Sequence, residues 1–115
     1  MPRRKLDPLP STAFQILLAL ADRELHGYGI MRQVAAQTED RLRLGPATLY
    51  GSIQALLEVE YIEEADAPAA GEADERRRYY RITALGRKVA RTEAERMAKA
   101  LRIARAKKIF GGEHV

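Results

Sequence analysis

The 115-residue chain has no cysteine and no tryptophan, and only two histidines, His26 and His114. Without cysteine there is neither a disulfide framework nor a thiolate metal site, and two histidines this far apart make a poor metal shell. No metal and no cofactor are therefore expected. Long apolar runs are also missing. The longest, AFQILLALA at 13–21, is too short for a bilayer, is interrupted by Gln15 and is not followed by a signal-cleavage pattern. A cytoplasmic address and no membrane partner are the expectations. Catalytic fingerprints are absent as well: there is no GxSxG, P-loop, HExxH or dinucleotide motif, and the paired acids Glu63 and Glu64 alternate to opposite sides of a strand. The sequence does not read as an enzyme.

What is present is basic. Twenty Lys and Arg against sixteen Asp and Glu give a net charge of +4, which suits a polyanionic partner. The length allows one domain with a modest core and an appendage. Residues 1–10 read as a flexible basic arm, with Arg3, Arg4 and Lys5 among three prolines. Ser11 predicts the N-cap of a first helix over 12–22, apolar on two sides: Phe14, Leu17, Leu18 and Ala21 on one, Ile16 and Leu20 on the other. A short second helix is predicted over 28–37 after the HGYG break, where His26 orders the turn by hydrogen bonding. Gly45 and Pro46 start a third helix, over 46–59.

Two strands, 61–66 and 76–83, follow, separated by a loop with Pro68 and Gly71. From Thr83 the pattern is helical to about Ile109, and Gly111 and Gly112 are predicted to end it. The fold class is thus mainly α (α+β), a winged helix over 11–83. It has a three-helix core and a two-stranded β-wing, followed by one long C-terminal dimerisation helix over 84–110.

On the third helix Leu49, Ile53, Leu56 and Leu57 recur at helical spacing and should face inward. The opposite face carries Ala47, Thr48, Gly51, Gln54 and Ala55, flanked by Tyr50 and Ser52. Short side chains there let a helix approach a major-groove floor, and Gln54 can pair with adenine. Beside it Arg76, Arg77, Arg78 and Arg81 surround Tyr79 and Tyr80, with Tyr80 and Ile82 inward and Arg77, Tyr79 and Arg81 outward, the last group suited to phosphate contact. The acids Glu72, Asp74 and Glu75 oppose DNA unless their loop points away or pairs with those arginines. The third helix has no Lys or Arg, so Arg32, Arg41, Arg43, the wing and the arm must supply the phosphate contacts.

The terminal helix carries nine cations around a stripe of Leu85, Val89, Met97, Leu101 and Ala104 that a small domain cannot cover. Pairing this helix with its copy, or with the partner's first helix through Phe14, Ile16 and Leu20, covers both and gives a homodimer reading a palindrome.

The runs HGYGI at 26–30, GPATLYGSIQALL at 45–57 and RRRYYRITALGR at 76–87 resemble the PadR-like transcriptional regulators, in the compact subgroup with a single C-terminal helix. The resemblance implies a homodimeric winged-helix repressor whose first and last helices form the dimer interface. By that resemblance Tyr28, Thr48, Tyr50, Ser52, Arg78 and Tyr79 meet double-stranded DNA. Some members release DNA when phenolic or drug-like compounds bind at the dimer interface. This chain offers such an effector little, because only Phe14 and Phe110 of its seven aromatics lie in the interface elements. Two departures stand out. Ala47 replaces a glycine before the TLY element, and Glu60 stands where the family usually has glycine, so a positive φ there costs on the order of 1 kcal/mol. The alternative function is a winged-helix protein-interaction module with weak or nonspecific DNA binding, favoured by the lack of any basic residue on the third helix.

Overall fold

The computed structural model describes residue 6 and residues 9–66 and 78–111. Seven elements follow in order: α1 (Ser11–Ala19), β1 (Leu25–His26), α2 (Gly27–Gln37), α3 (Pro46–Glu58), β2 (Ile62–Ala65), β3 (Tyr79–Ile82) and α4 (Ala84–Ala106). The strands form an antiparallel sheet in the order β1-β3-β2. The mainly α fold with a wing and a long last helix is as expected. The two-residue β1 is an addition, too short to show any alternation in the sequence.

Helix starts differ from expectation in one case. Pro10, not Ser11, caps α1: its extended backbone offers its carbonyl to the Phe14 N–H at 2.9 Å, and no side chain assists. Proline suits this place because it has no N–H to lose and a fixed φ. The arm is partly anchored, with Leu9 buried and Leu6 packed on the core, whereas Arg3, Arg4 and Lys5 lie outside the described residues. His26 caps α2, its Nδ1 accepting from the Gly29 N–H at 3.0 Å. Thr83 caps α4 in the same way, accepting from the Gly86 N–H at 2.9 Å and donating to the Glu60 carbonyl at 2.7 Å.

Three helices end alike. At α2, α3 and α4 the residue after the C-cap takes a left-handed conformation without being glycine: Glu39 (φ 53°), Glu60 (φ 65°) and Lys108 (φ 60°). The next N–H in each case reaches back to the last turn: Asp40 to the Ala35 carbonyl, Tyr61 to Leu56 and Ile109 to Ala104. These are Schellman endings, which satisfy carbonyls that the helix leaves free. Lys108, not Gly111, therefore ends the last helix, because the motif closes on Ala104 and Arg105 whatever residue occupies its left-handed position, and Gly112 lies outside the described residues.

One core joins the elements. Leu17 of α1 and Leu20 just after it meet Ile30 and Val34 of α2, Leu49, Ile53 and Leu56 of α3, and Ile62, Tyr80 and Ile82 of the sheet. Packing of α1 against α2, α3 and α4 corrects one expectation. Phe14, Ile16 and Leu20, expected at a dimer interface, are 6%, 0% and 2% exposed and have almost no surface to offer a partner. α4 contacts α1 within the same chain, and Val89 and Ala90, early in α4, pack against the core to which these residues belong. Of α1's large apolar residues only Leu18 is exposed. Along α4 itself Leu85, Met97 and Leu101 are exposed, while Val89 and Ala104 are half-buried. Gly86 is buried because α4 begins hard against the sheet, and a Cβ there would run into the Tyr61 carbonyl oxygen.

Candidate nucleic-acid interface

Three elements, α3, the start of α2 and the wing, carry the candidate side chains. Burial of Leu49, Ile53 and Leu56 turns Ala47, Thr48, Gly51 and Gln54 outward, all exposed, with Ser52 half-buried at the flank. No side chain caps the start of α3, where Gly45 is extended and Pro46 takes the first turn, so its positive dipole end is unopposed. Gly51 is notable for what surrounds it. A Cβ built there meets nothing within 4 Å, so among the described residues nothing in the packing calls for glycine. A glycine inside a helix costs about 1 kcal/mol relative to alanine. Its effect is to leave α3's outer backbone bare.

Next to this face stand the aromatic residues at the start of α2. Tyr28 is 54% exposed, its ring parallel to His26 at 6.4 Å, with the Arg32 guanidinium 5.7 Å above its centre. His26 in turn meets the edge of Tyr79 on β3 at 5.2 Å. Tyr50, 53% exposed, leans from α3 onto the first turn of α2, so that a Cβ on Gly27 would lie 2.5 Å from its hydroxyl. One ladder thus ties the wing to α2, and Tyr50 ties α3 to the same turn. A phenol hydroxyl or a guanidinium in this position can donate to a phosphate oxygen.

On the wing, cations and acids alternate across the hairpin. Glu63 lies opposite Arg81 and hydrogen-bonds its Nε at 2.8 Å, and Glu24, before β1, reaches the same guanidinium at 3.6 Å. Arg78 contacts Glu64 at 3.2 Å. The hydrogen bond and charge of Glu63 hold Arg81 firmly protonated. Burial, then the charge of Glu64, push the Tyr80 hydroxyl above its ordinary pKa, against the opposing pull of Arg78. All these ion pairs are solvent-exposed, and such pairs contribute little to stability and exchange readily for other partners.

Of the residues singled out in the sequence, Tyr28, Thr48, Tyr50, Ser52, Gln54, Arg78 and Tyr79 are carried by α2, α3 and the wing around His26. Arg77 lies outside the described residues, as do Glu72, Asp74 and Glu75. Among the described residues the wing arginines pair with Glu63 and Glu64 of β2 and with Glu24; the expected pairing with Glu72, Asp74 and Glu75 falls outside them. The Glu24 contact went unread because it depends on β1 joining the sheet. The stacking of Arg32 on Tyr28 is legible afterwards as an i, i+4 pair on one helix face. Among the described residues no group of His, Asp and Glu could hold a metal ion, and no helix is long and apolar enough to cross a membrane.

Comparison with known proteins identifies the fold and the family. An uncharacterised protein of Lysinibacillus sphaericus is 34% identical over 74 residues, which span 63% of this chain and 64% of that protein, just under two thirds. A transcriptional regulator from Clostridium thermocellum superposes with a TM-score of 0.66 at 23% identity, covering 83% of this chain and 87% of that one. A PadR family transcription regulator from Clostridium difficile gives 0.70 at 16% identity, covering 84% and 97%. At those identities the two structures establish the fold alone. Members of the matching family are regulators of transcription, not enzymes. Its family model aligns with residues 16–92, two thirds of the sequence and all three parts of the candidate interface, and the chain belongs to the PadR-like family of transcriptional regulators.

Proposed function

We propose that this protein is a sequence-specific DNA-binding regulator, acting in the cytoplasm as a homodimeric repressor that occupies a palindromic operator. The observation that carries the reading is the outer face of α3: small, uncharged and bare at Gly51, where the packing of the described residues gives no reason for a glycine. A major-groove floor is such a reason, since the approach of a helix backbone to base edges is limited by the side chains between them. In this reading Thr48, Ser52 and Gln54 read bases. Tyr28, Tyr50, Arg32, Arg77, Arg78 and Tyr79 hold the backbone on either side.

The experiment is alanine substitution on two classes of DNA. Thr48→Ala and Ser52→Ala should each weaken operator binding by about 1–3 kcal/mol while leaving random duplex unchanged. Equal losses on both would remove α3 from base reading. A second reading, an interaction module with weak DNA binding, draws on the pairing of Arg78 and Arg81 with acids and on the absence of Lys and Arg from α3. It requires unchanged DNA mobility even at low salt, where phosphate contacts are strongest.

A further inference from the structure

Glycines in the helices differ in what an added Cβ would meet. At Gly51 it meets nothing within 4 Å among the described residues, and at Gly86 it runs into the Tyr61 carbonyl oxygen. Gly27, buried at the first position of α2, is a third case. There the three nearest atoms all belong to the Tyr50 phenol of α3, the hydroxyl at 2.5 Å and Cζ and Cε1 at 3.0 and 3.1 Å. The backbone does not ask for glycine at this place, since among the described residues Gly111 is the one glycine with a positive φ. Main-chain packing does not ask for it either, because what stands in the way is the far end of one side chain. Tyr50 is 53% exposed and has room to swing outward. The fold would therefore accommodate a larger residue at position 27, and what would change is where the phenol sits.

We propose that Gly27 is a positioning residue for DNA binding: its bare Cα forms the seat that holds the Tyr50 phenol against the first turn of α2. A tyrosine on a helix surface otherwise spreads over several staggered rotamers. The seat selects one of them before DNA arrives, so the ordering cost of that side chain is met in folding and not in binding. It also fixes the Tyr50 hydroxyl relative to Tyr28, which the same turn carries one residue later, so that two phenols meet the phosphate backbone as a set pair. Gly27 acts through Tyr50 and not on DNA itself. The inference rests on the DNA-binding reading above.

The test is a pair of double-mutant cycles on the full-length protein, with Gly27→Ala, Tyr50→Ala and the two combined. In urea denaturation Gly27→Ala alone should leave the midpoint near the wild-type value. Tyr50→Ala should lower it in the wild type and by clearly less in the Gly27→Ala background, because an evicted ring has already lost its contact. On duplex DNA from upstream of the protein's own gene, Gly27→Ala should weaken binding about three- to tenfold. The combined variant should bind no worse than Tyr50→Ala alone. Tyr50→Phe supplies a conservative rescue: it removes the atom nearest the added methyl and keeps the ring, so Gly27→Ala should weaken binding less against it than against the wild type. Additive losses in either cycle, with DNA binding of the wild type intact, overturn the seat and give Gly27 an effect of its own. A wild-type protein that binds neither this DNA nor random duplex, while the urea cycle still shows coupling, overturns the proposal through the DNA reading and leaves Gly27 a packing residue.

Discussion

Single residues in this chain carry conformations that their side chains do not favour. Glu60 holds φ at 65°, and the helix ending it completes delivers Tyr61 to the core and its carbonyl to the Thr83 N–H. Glu60→Gly relieves that strain but adds flexibility to the unfolded chain, and a net gain of about 0.5–1 kcal/mol in urea denaturation is expected. Gly86→Ala acts in the opposite sense. The added methyl meets a backbone carbonyl that cannot move aside, and a loss of about 1–3 kcal/mol should result. Gly51→Ala separates stability from function: it should stabilise the fold by up to about 1 kcal/mol while weakening operator binding, because the methyl stands only in an external partner's way. If Gly51→Ala leaves operator affinity untouched, the close approach assigned to α3 is wrong. The strain at Glu60 was readable in advance, since it occupies a glycine position of the resembling family. That at Glu39 and Lys108 was not, because a left-handed residue other than glycine gives no local signal.

At the scale of elements, the wing is a hairpin whose cations are shared between its own acids and any phosphate that comes near. Arg78→Ala should lower affinity for all duplexes alike and reduce the salt slope by about one. Glu64→Gln should do the reverse, freeing Arg78 and raising nonspecific affinity severalfold, with little change in stability because the pair is exposed. Beneath the pair lies Tyr80, whose raised pKa disfavours the phenolate in the fold. Above pH 10 the unfolded chain loses this proton first, so stability falls as pH rises, and Tyr80→Phe should remove that part of the alkaline loss seen in denaturation midpoints. Helices α2, α3 and α4 and the inward face of β3 were legible because each has a periodic apolar set and a recognisable start. The shortening of both wing strands, the addition of β1 and the Glu24–Arg81 contact were not, since two or four residues hold too little pattern and register depends on partners distant in sequence.

The whole molecule is a compact head with a helix that outruns it. Twenty-three residues of α4 extend about 35 Å, yet only its first turns meet the core, through Gly86, Val89 and Ala90. Met97, Leu101 and Ile103 remain exposed, a face that the proposed dimer covers. The stripe along α4 was legible as a periodic apolar set, whereas the burial of Phe14, Ile16 and Leu20 within their own chain was not. Periodicity shows that a helix is apolar on two sides, not whether one's own chain or a partner's covers the second. Leu101→Asp should therefore yield a folded monomer by sedimentation, with operator affinity reduced about a hundredfold or more as the two heads are uncoupled. A variant that remains dimeric would move the interface elsewhere.

The central claim is that the chain reads DNA sequence as a symmetric pair, and it is tested most directly by titrating the wild-type protein against the DNA upstream of its own gene and against random duplex of equal length, across a salt series with footprinting. A preference of several hundredfold or more, with a two-fold-symmetric footprint that persists as salt rises, is the expected result. Equal and steeply salt-dependent binding to both duplexes would contradict it, leaving the basic surface as an electrostatic feature and α3 without a base to read.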